Sequence, residues 1–61
     1  MTYRIETEYY ASPWTFENEK EAIEYAKDFA KAKKERVLVT QYAMGNWWLF
    51  HVVDADGKIW V

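Results

Sequence analysis

The sequence predicts an α+β fold of order β-α-β-β-β, in which a four-stranded, mostly antiparallel sheet carries one helix packed on one face. Three features predict it: an N-terminal segment that alternates with period two, one amphipathic segment with helical spacing, and two hairpin signals. An aromatic content of 20% supports the sheet, because aromatic side chains favour strands. A length of 61 residues predicts a single compact domain over residues 1–61.

The first predicted strand covers residues 2–10, where side chains alternate between two faces. Pro13 keeps the following segment out of a helix, because the residue before a proline is extended. If this strand lies beside the second, a right-handed crossover through the helix makes the two parallel. The inner face would carry Tyr3, Ile5, Thr7 and Tyr9, and the outer face Arg4, Glu6, Glu8 and Tyr10.

A single amphipathic helix is predicted over roughly residues 19–34. Asn18 is the predicted N-cap, and Glu21 stands at the capping-box spacing. The apolar stripe is mostly alanine, so the helix can approach the sheet closely while the sheet supplies the bulky side chains. The stripe comprises Ala22, Ile23, Ala26, Phe29 and Ala30, with Tyr25 on its edge.

Two hairpins follow the helix. The strands over residues 36–43 and 47–53 are joined by a two-residue Gly45-Asn46 loop. A four-residue loop over residues 54–57 then leads to a short strand over residues 58–61. The alternative is a three-residue loop with Gly57 as a bulge, which would flip the last strand.

This register sorts the side chains onto two faces of the sheet. The inner face, which receives the helix, is predicted to hold Val37, Val39, Gln41, Ala43, Trp48, Phe50, Val52, Ile59 and Val61. The outer face is predicted to hold Arg36, Leu38, Thr40, Tyr42, Trp47, Leu49, His51, Val53, Lys58 and Trp60.

The outer face is the candidate functional surface, because one helix cannot cover both sides of the sheet. The residues predicted to bind a partner there are Tyr42, Trp47, Leu49, His51 and Trp60. A protein partner or a homodimer would bury these rings. The alternative is that cross-strand aromatic pairs only stabilise a small sheet.

No enzyme is predicted, and no catalytic residue is assigned. His51 is the only histidine and Ser12 the only serine, and the two are far apart in the chain. The run Asp54-Ala55-Asp56-Gly57 resembles the start of a calcium loop, but it lacks the distal glutamate, so no metal site is expected. Two glycines cannot form a glycine-rich phosphate loop, so no cofactor is expected.

The predicted function is therefore a non-enzymatic small α+β domain that acts in protein interaction or self-association, through the outer face or a strand edge. A net charge of −2 makes a nucleic-acid partner unlikely. One alternative is single-stranded nucleic-acid binding, in which Lys31, Lys33, Lys34 and Arg36 would supplement the aromatic rings. Another is a designed or orphan scaffold with no ligand. No membrane partner is expected, and the N-terminus has no apolar signal core, which predicts a cytoplasmic protein.

Overall fold

The computed structural model describes residues 1–9 and 11–60, which form one helix and a three-stranded antiparallel sheet of order β1-β2-β3. The α+β class is confirmed, but the order is β-α-β-β. Of the predicted fourth strand, the described part forms a single bridge, Ile59 to Val53. Tyr10 and Val61, both assigned to predicted strands, lie outside the described residues. The elements are β1 (Thr2–Glu6), α1 (Glu19–Lys33), β2 (Val37–Ala43) and β3 (Asn46–Val53).

β1 runs antiparallel to β2, with Ile5 opposite Val39, so the predicted parallel pairing is wrong. The reason lies in the connection that follows β1. Residues 11–16 run back along β1, and Phe16 exchanges two backbone hydrogen bonds of 2.7 and 2.9 Å with Tyr3. The helix therefore begins beside the start of β1, and the chain never makes the crossover that would impose a parallel partner.

β1 is also shorter than predicted, because it ends at Glu6. The backbone N–H of Tyr9 donates to Oγ1 of Thr7 at 3.1 Å, in a local turn that takes the chain away from the sheet. Tyr9 is exposed rather than in the inner row, and Glu8 is an exposed residue beyond the strand.

The helix is confirmed close to its predicted bounds. Oδ1 of Asn18 accepts the backbone N–H of Glu21 at 3.2 Å, as expected of an N-cap. The helix ends at Lys33, and Lys34 adopts the left-handed conformation with φ 55°. Within the described residues, no helix has both the length and the apolar character needed to cross a bilayer.

The core lies between the helix and one face of the sheet, which we call the inner face. Small side chains come from the helix and large ones from the strands, as the alanine stripe predicts. The rings of Phe16, Tyr25, Phe29 and Phe50 pack around this core. The buried apolar residues are Tyr3, Ile5, Ala22, Ala26, Ala30, Val37, Val39 and Val53.

The first hairpin turns one residue earlier than predicted. Met44 and Gly45 are the loop residues, and Ala43 pairs with Asn46. Both loop residues have positive φ, 52° for Met44 and 81° for Gly45, as a type I′ turn requires. This turn favours glycine at its second position, and the predicted Gly45-Asn46 loop would have placed it first.

A β-bulge in β3 changes which face its second half presents. Val39 lies opposite His51 and Thr40 opposite Leu49, so Phe50 has no partner on β2. The extra residue reverses the alternation of side chains that follow it. His51 and Val53 therefore share the inner face with Phe50, and Val52 moves to the other face.

The second hairpin has the three-residue loop that the sequence left as the alternative. The backbone N–H of Asp54 donates to the carbonyl of Lys58 at 2.9 Å, and Gly57 has φ 87°. Ile59 consequently pairs with Val53 instead of Val52. Because the bulge has already moved Val53 to the inner face, Ile59 still falls on the predicted face.

Candidate protein interface

The face of the sheet opposite the helix is the candidate site, and no described segment packs over it as the helix packs over the inner face. The register places three residues of each strand there. We call this surface the outer face; its strand residues are Thr2, Arg4, Glu6, Leu38, Thr40, Tyr42, Trp47, Leu49 and Val52.

The aromatic part of the outer face is a packed trio at the turn end of the sheet. The rings of Tyr42 and Trp47, which are cross-strand partners, meet edge to face with centroids 5.2 Å apart. The guanidinium carbon of Arg4 lies 4.2 Å from the centroid of the Trp47 ring, in a cation–π contact. Trp47 is therefore half-buried by its own neighbours, and its position on the face is fixed before any partner binds.

A polar network continues from Arg4 along β1. Nη2 of Arg4 lies 2.9 Å from Oε2 of Glu6, and Oγ1 of Thr40 donates to the same oxygen at 2.8 Å. Burial alone would raise the pKa of Glu6, but the hydrogen bonds from Arg4 and Thr40 and the charge of Arg4 outweigh it and lower that pKa. Glu6 is thus held as a carboxylate beside its cation.

Large apolar side chains on this face remain open to solvent. Tyr42 is 46% exposed and Leu49 is 57% exposed. Leu38, Trp47 and Val52 are half-buried. The sheet therefore presents apolar side chains on β2 and β3 beside one ion pair on β1.

His51 does not belong to this surface, and its prediction as an outer-face residue is wrong. The bulge at Phe50 turns His51 toward the helix, where its Nε2 lies 3.2 Å from Oε2 of Glu19. Its ring also packs against that of Phe50, with centroids 4.5 Å apart. His51 thus joins β3 to the helix.

Trp60 lies at the margin of the outer face. Its backbone N–H donates to the carbonyl of Val52 at 2.8 Å, which places it beside β3 on the register of this face. Its indole Nε1 donates to Oδ2 of Asp54 at 2.6 Å, and the side chain is 68% exposed. The hydrogen bond to Asp54 holds an exposed ring next to Val52.

Sequence reasoning missed the outer-face position of Val52 and the contact between Arg4 and Trp47. Val52 was assigned to the core, and nothing in the local sequence marks the bulge that turns it outward. Arg4 was predicted on this face, but its contact with Trp47 was not predicted. That contact depends on the pairing of Arg4 with Thr40, which a parallel β1 does not form. An antiparallel β1 would have suggested the cation–π contact.

Other parts of the described chain are weaker candidates for a functional site than the outer face. An open cleft of about 510 Å³ lies at the opposite end of the sheet from Tyr42 and Trp47, and two carboxylates and one guanidinium are among its lining groups. Its lining is Thr7, Glu8, Tyr9, Glu35, Arg36 and Leu38. Within residues 1–9 and 11–60, no three histidine, aspartate or glutamate side chains are grouped closely enough to hold a metal ion.

Comparison with known proteins supplies no relative: no family model, no curated protein and no solved structure matches this chain. The function must therefore be argued from the geometry of the chain itself.

Proposed function

We propose that this chain is a non-enzymatic self-association domain, in which the outer face of the sheet binds the outer face of a second copy. The observation that carries the proposal is the uncovered apolar surface formed by Tyr42, Leu49 and their neighbours, with Trp60 at its margin. Exposed apolar area of this kind is removed from water when two such surfaces pack together.

The size of the face suits a weak dimer. The molecule measures 31 × 23 × 20 Å and has 4259 Å² of accessible surface. One side of such a body presents about a sixth of that surface, on the order of 700 Å², against ~800 Å² per partner in a standard interface. We therefore expect a dissociation constant in the micromolar range, on the order of 10–100 µM.

The small size of the protein supports the same proposal. A domain of this length buries only about 60% of the surface of its unfolded chain, so its core is small. Oligomerisation is one of the usual ways in which domains of this size gain further buried area. Two sheets packed face to face would form a second apolar layer next to the core under the helix.

A binding role accounts for the outer face better than catalysis does. Oγ of Ser12 donates to the carbonyl of Trp14 and accepts the backbone N–H of Ile5, so this hydroxyl is part of the loop structure. His51 pairs with Glu19 of the helix on the other side of the sheet. The Ser12 hydroxyl and the His51 imidazole are thus not assembled on the exposed surface.

A protein partner is also favoured over single-stranded nucleic acid. Lys31 and Lys33 belong to the last turn of the helix, which lies across the sheet from Trp47. Among the described strand residues of the outer face Arg4 is the one cation, and it is paired with Glu6. The helix lysines and the aromatic rings of the outer face, which a nucleic-acid strand would need together, are therefore on different sides of the sheet.

Sedimentation equilibrium at about 5 µM and about 500 µM tests the proposal, because a micromolar dimer is mostly dissociated at the first concentration and mostly formed at the second. Leu49→Lys should keep the protein monomeric at both. Trp48→Lys is the matched control: it is the next residue on β3, is 53% exposed, and lies on the inner-face register.

The control variant should dimerise as the wild type does. A wild-type protein that stays monomeric at both concentrations would refute self-association. Equal loss of dimer in the Leu49 and Trp48 variants would show that the outer face is not the contact surface.

A further inference from the structure

The outer face carries one cation and one anion at a fixed spacing along β1. Arg4 and Glu6 are the only charged residues among the described strand residues of this face. They stand two residues apart, which in an antiparallel sheet is a displacement of about 7 Å. Each is a quarter exposed. The face therefore has a positive and a negative position along β1, with the apolar side chains of β2 and β3 beside them.

The ion pair leaves part of each group unused. Nε and Nη2 of Arg4 and Oγ1 of Thr40 all donate to Oε2 of Glu6. Oε1 of Glu6 and Nη1 of Arg4 make no hydrogen bond with the described residues. A carboxylate can accept several hydrogen bonds, and a guanidinium can donate five. Both groups thus retain capacity for a partner that offers the opposite charge.

A second copy offers both charges at the required spacing. A face-to-face dimer is isologous, so its two-fold axis lies in the plane between the sheets. Suppose that the axis runs perpendicular to the strands at the level of Ile5 and Val39. Each strand then lies over the same strand of the second copy, and the two run in opposite directions. Arg4 then lies over Glu6 of the second copy, and Glu6 over Arg4.

The same axis brings the apolar positions together. Val39 is opposite both Ile5 and His51, so Leu49 lies on one side of the axis in β3 and Val52 on the other. Leu49 consequently faces Val52 of the second copy. In β2, Thr40 faces Leu38 in the same way. A single operation therefore matches each charge with an opposite charge and brings Leu49 against Val52.

We propose that the outer faces of two copies pack with antiparallel strands, and that Arg4 and Glu6 of each copy pair reciprocally with Glu6 and Arg4 of the other. This inference rests on the proposed self-association and adds its orientation and its specificity. Ion pairs across an interface select the partner and the register more than they add affinity.

Charge reversal on each side tests the pairing. Arg4→Glu gives a face with two anions, and Glu6→Arg gives a face with two cations. Each variant alone should dimerise at least tenfold more weakly than the wild type, because like charges then face each other. An equimolar mixture should form a heterodimer with a dissociation constant within about threefold of the wild-type value.

The neutral variants Arg4→Gln and Glu6→Gln are a milder second test, since each variant alone loses both ion pairs and a mixture restores one, Glu6 of the first variant against Arg4 of the second. Mixing these two variants should strengthen association over either variant alone, but by less than mixing the charge-reversed pair. Thermal unfolding of every variant at a concentration where the wild type is monomeric shows whether the fold is kept, and the neutral pair decides the question if a reversed variant does not fold.

The outcomes separate the two proposals. If the wild type dimerises and Leu49→Lys prevents it, but the charge-reversed mixture stays as weak as its components, the reciprocal pairing is wrong and self-association stands. Unchanged dimerisation of each reversed variant alone would also overturn the pairing. If the wild type never dimerises, the proposed function itself fails.

Discussion

His51 Nε2 lies 3.2 Å from Oε2 of Glu19, so the bulged part of β3 is joined to the first turn of the helix. We expect Glu19→Gln to lower the free energy of unfolding by less than about 1 kcal/mol, because Glu19 is about half exposed and such pairs are screened by solvent. Glu21→Gln is the matched control, since Glu21 lies in the same first turn and shares the helix dipole. Urea unfolding should show the larger loss for Glu19; equal losses would mean that His51 contributes nothing.

Asp54 should make the fold sensitive to acid. The hydrogen bonds that it shares with Asp56 and with Trp60 lower the pKa of Asp54 from 3.8 to about 2. The folded state favours the carboxylate, so this stabilisation is fully present above the unfolded pKa near 3.8 and is lost as pH falls through about 2. Asp54→Asn should therefore show a flatter stability profile between about pH 4 and pH 2 in urea unfolding. Asp28→Asn, on the helix, should leave the wild-type profile unchanged.

The Met44-Gly45 turn can be improved at one position and damaged at the other. Met44 has a positive φ of 52° and is almost fully exposed, so it bears the strain of a left-handed backbone without a packing role. Met44→Asn should raise the free energy of unfolding by about 0.5 kcal/mol, because asparagine is favoured there in type I′ turns. Gly45→Ala should lower it by about 1 kcal/mol. Chemical unfolding measures both; an opposite sign for either would rule out the type I′ assignment.

The alanine stripe should tolerate no larger side chain. Ala26 is fully buried where the helix approaches the sheet, so Ala26→Leu should cost about 1–3 kcal/mol through overpacking. Ala32→Leu places the same side chain on the exposed side of the same helix and should be nearly neutral. Thermal melts compare the two variants. A neutral Ala26 variant would mean that the helix can move away from the sheet without loss.

The helix was predictable because its signals are local. The Asn18 cap and the spacing of Ala22, Ala26 and Ala30 depend only on the helical period, and the structure keeps both. The direction of β1 is not determined by local signals. It depended on whether the chain after Glu6 enters a helix at once or first runs back along the strand, and residues 11–16 take the second course.

The strand faces were predicted correctly only as far as the alternation held. Trp47 and Leu49 lie on the expected face. The turn begins one residue earlier than predicted, which shifts the cross-strand partners by two residues, and a shift of two leaves each side chain on the same face. The bulge at Phe50 then reverses the parity, so His51, Val52 and Val53 are all on unexpected faces. The position of a bulge depends on tertiary packing, which here is the packing of Phe50 against the Tyr3 ring. No residue type at this point of the sequence indicates a bulge.

The two edges of the sheet differ in how much strand backbone they leave unpaired by the described residues. Residues 11–16 cover the free side of β1, whereas the described residues pair only with the last part of β3, at Val52 and Val53. Among the described strand edges of the sheet, the backbone from Asn46 to His51 is therefore where a foreign strand could be added. A foreign strand would therefore be added beside β3, because the return of residues 11–16 already occupies the edge at β1.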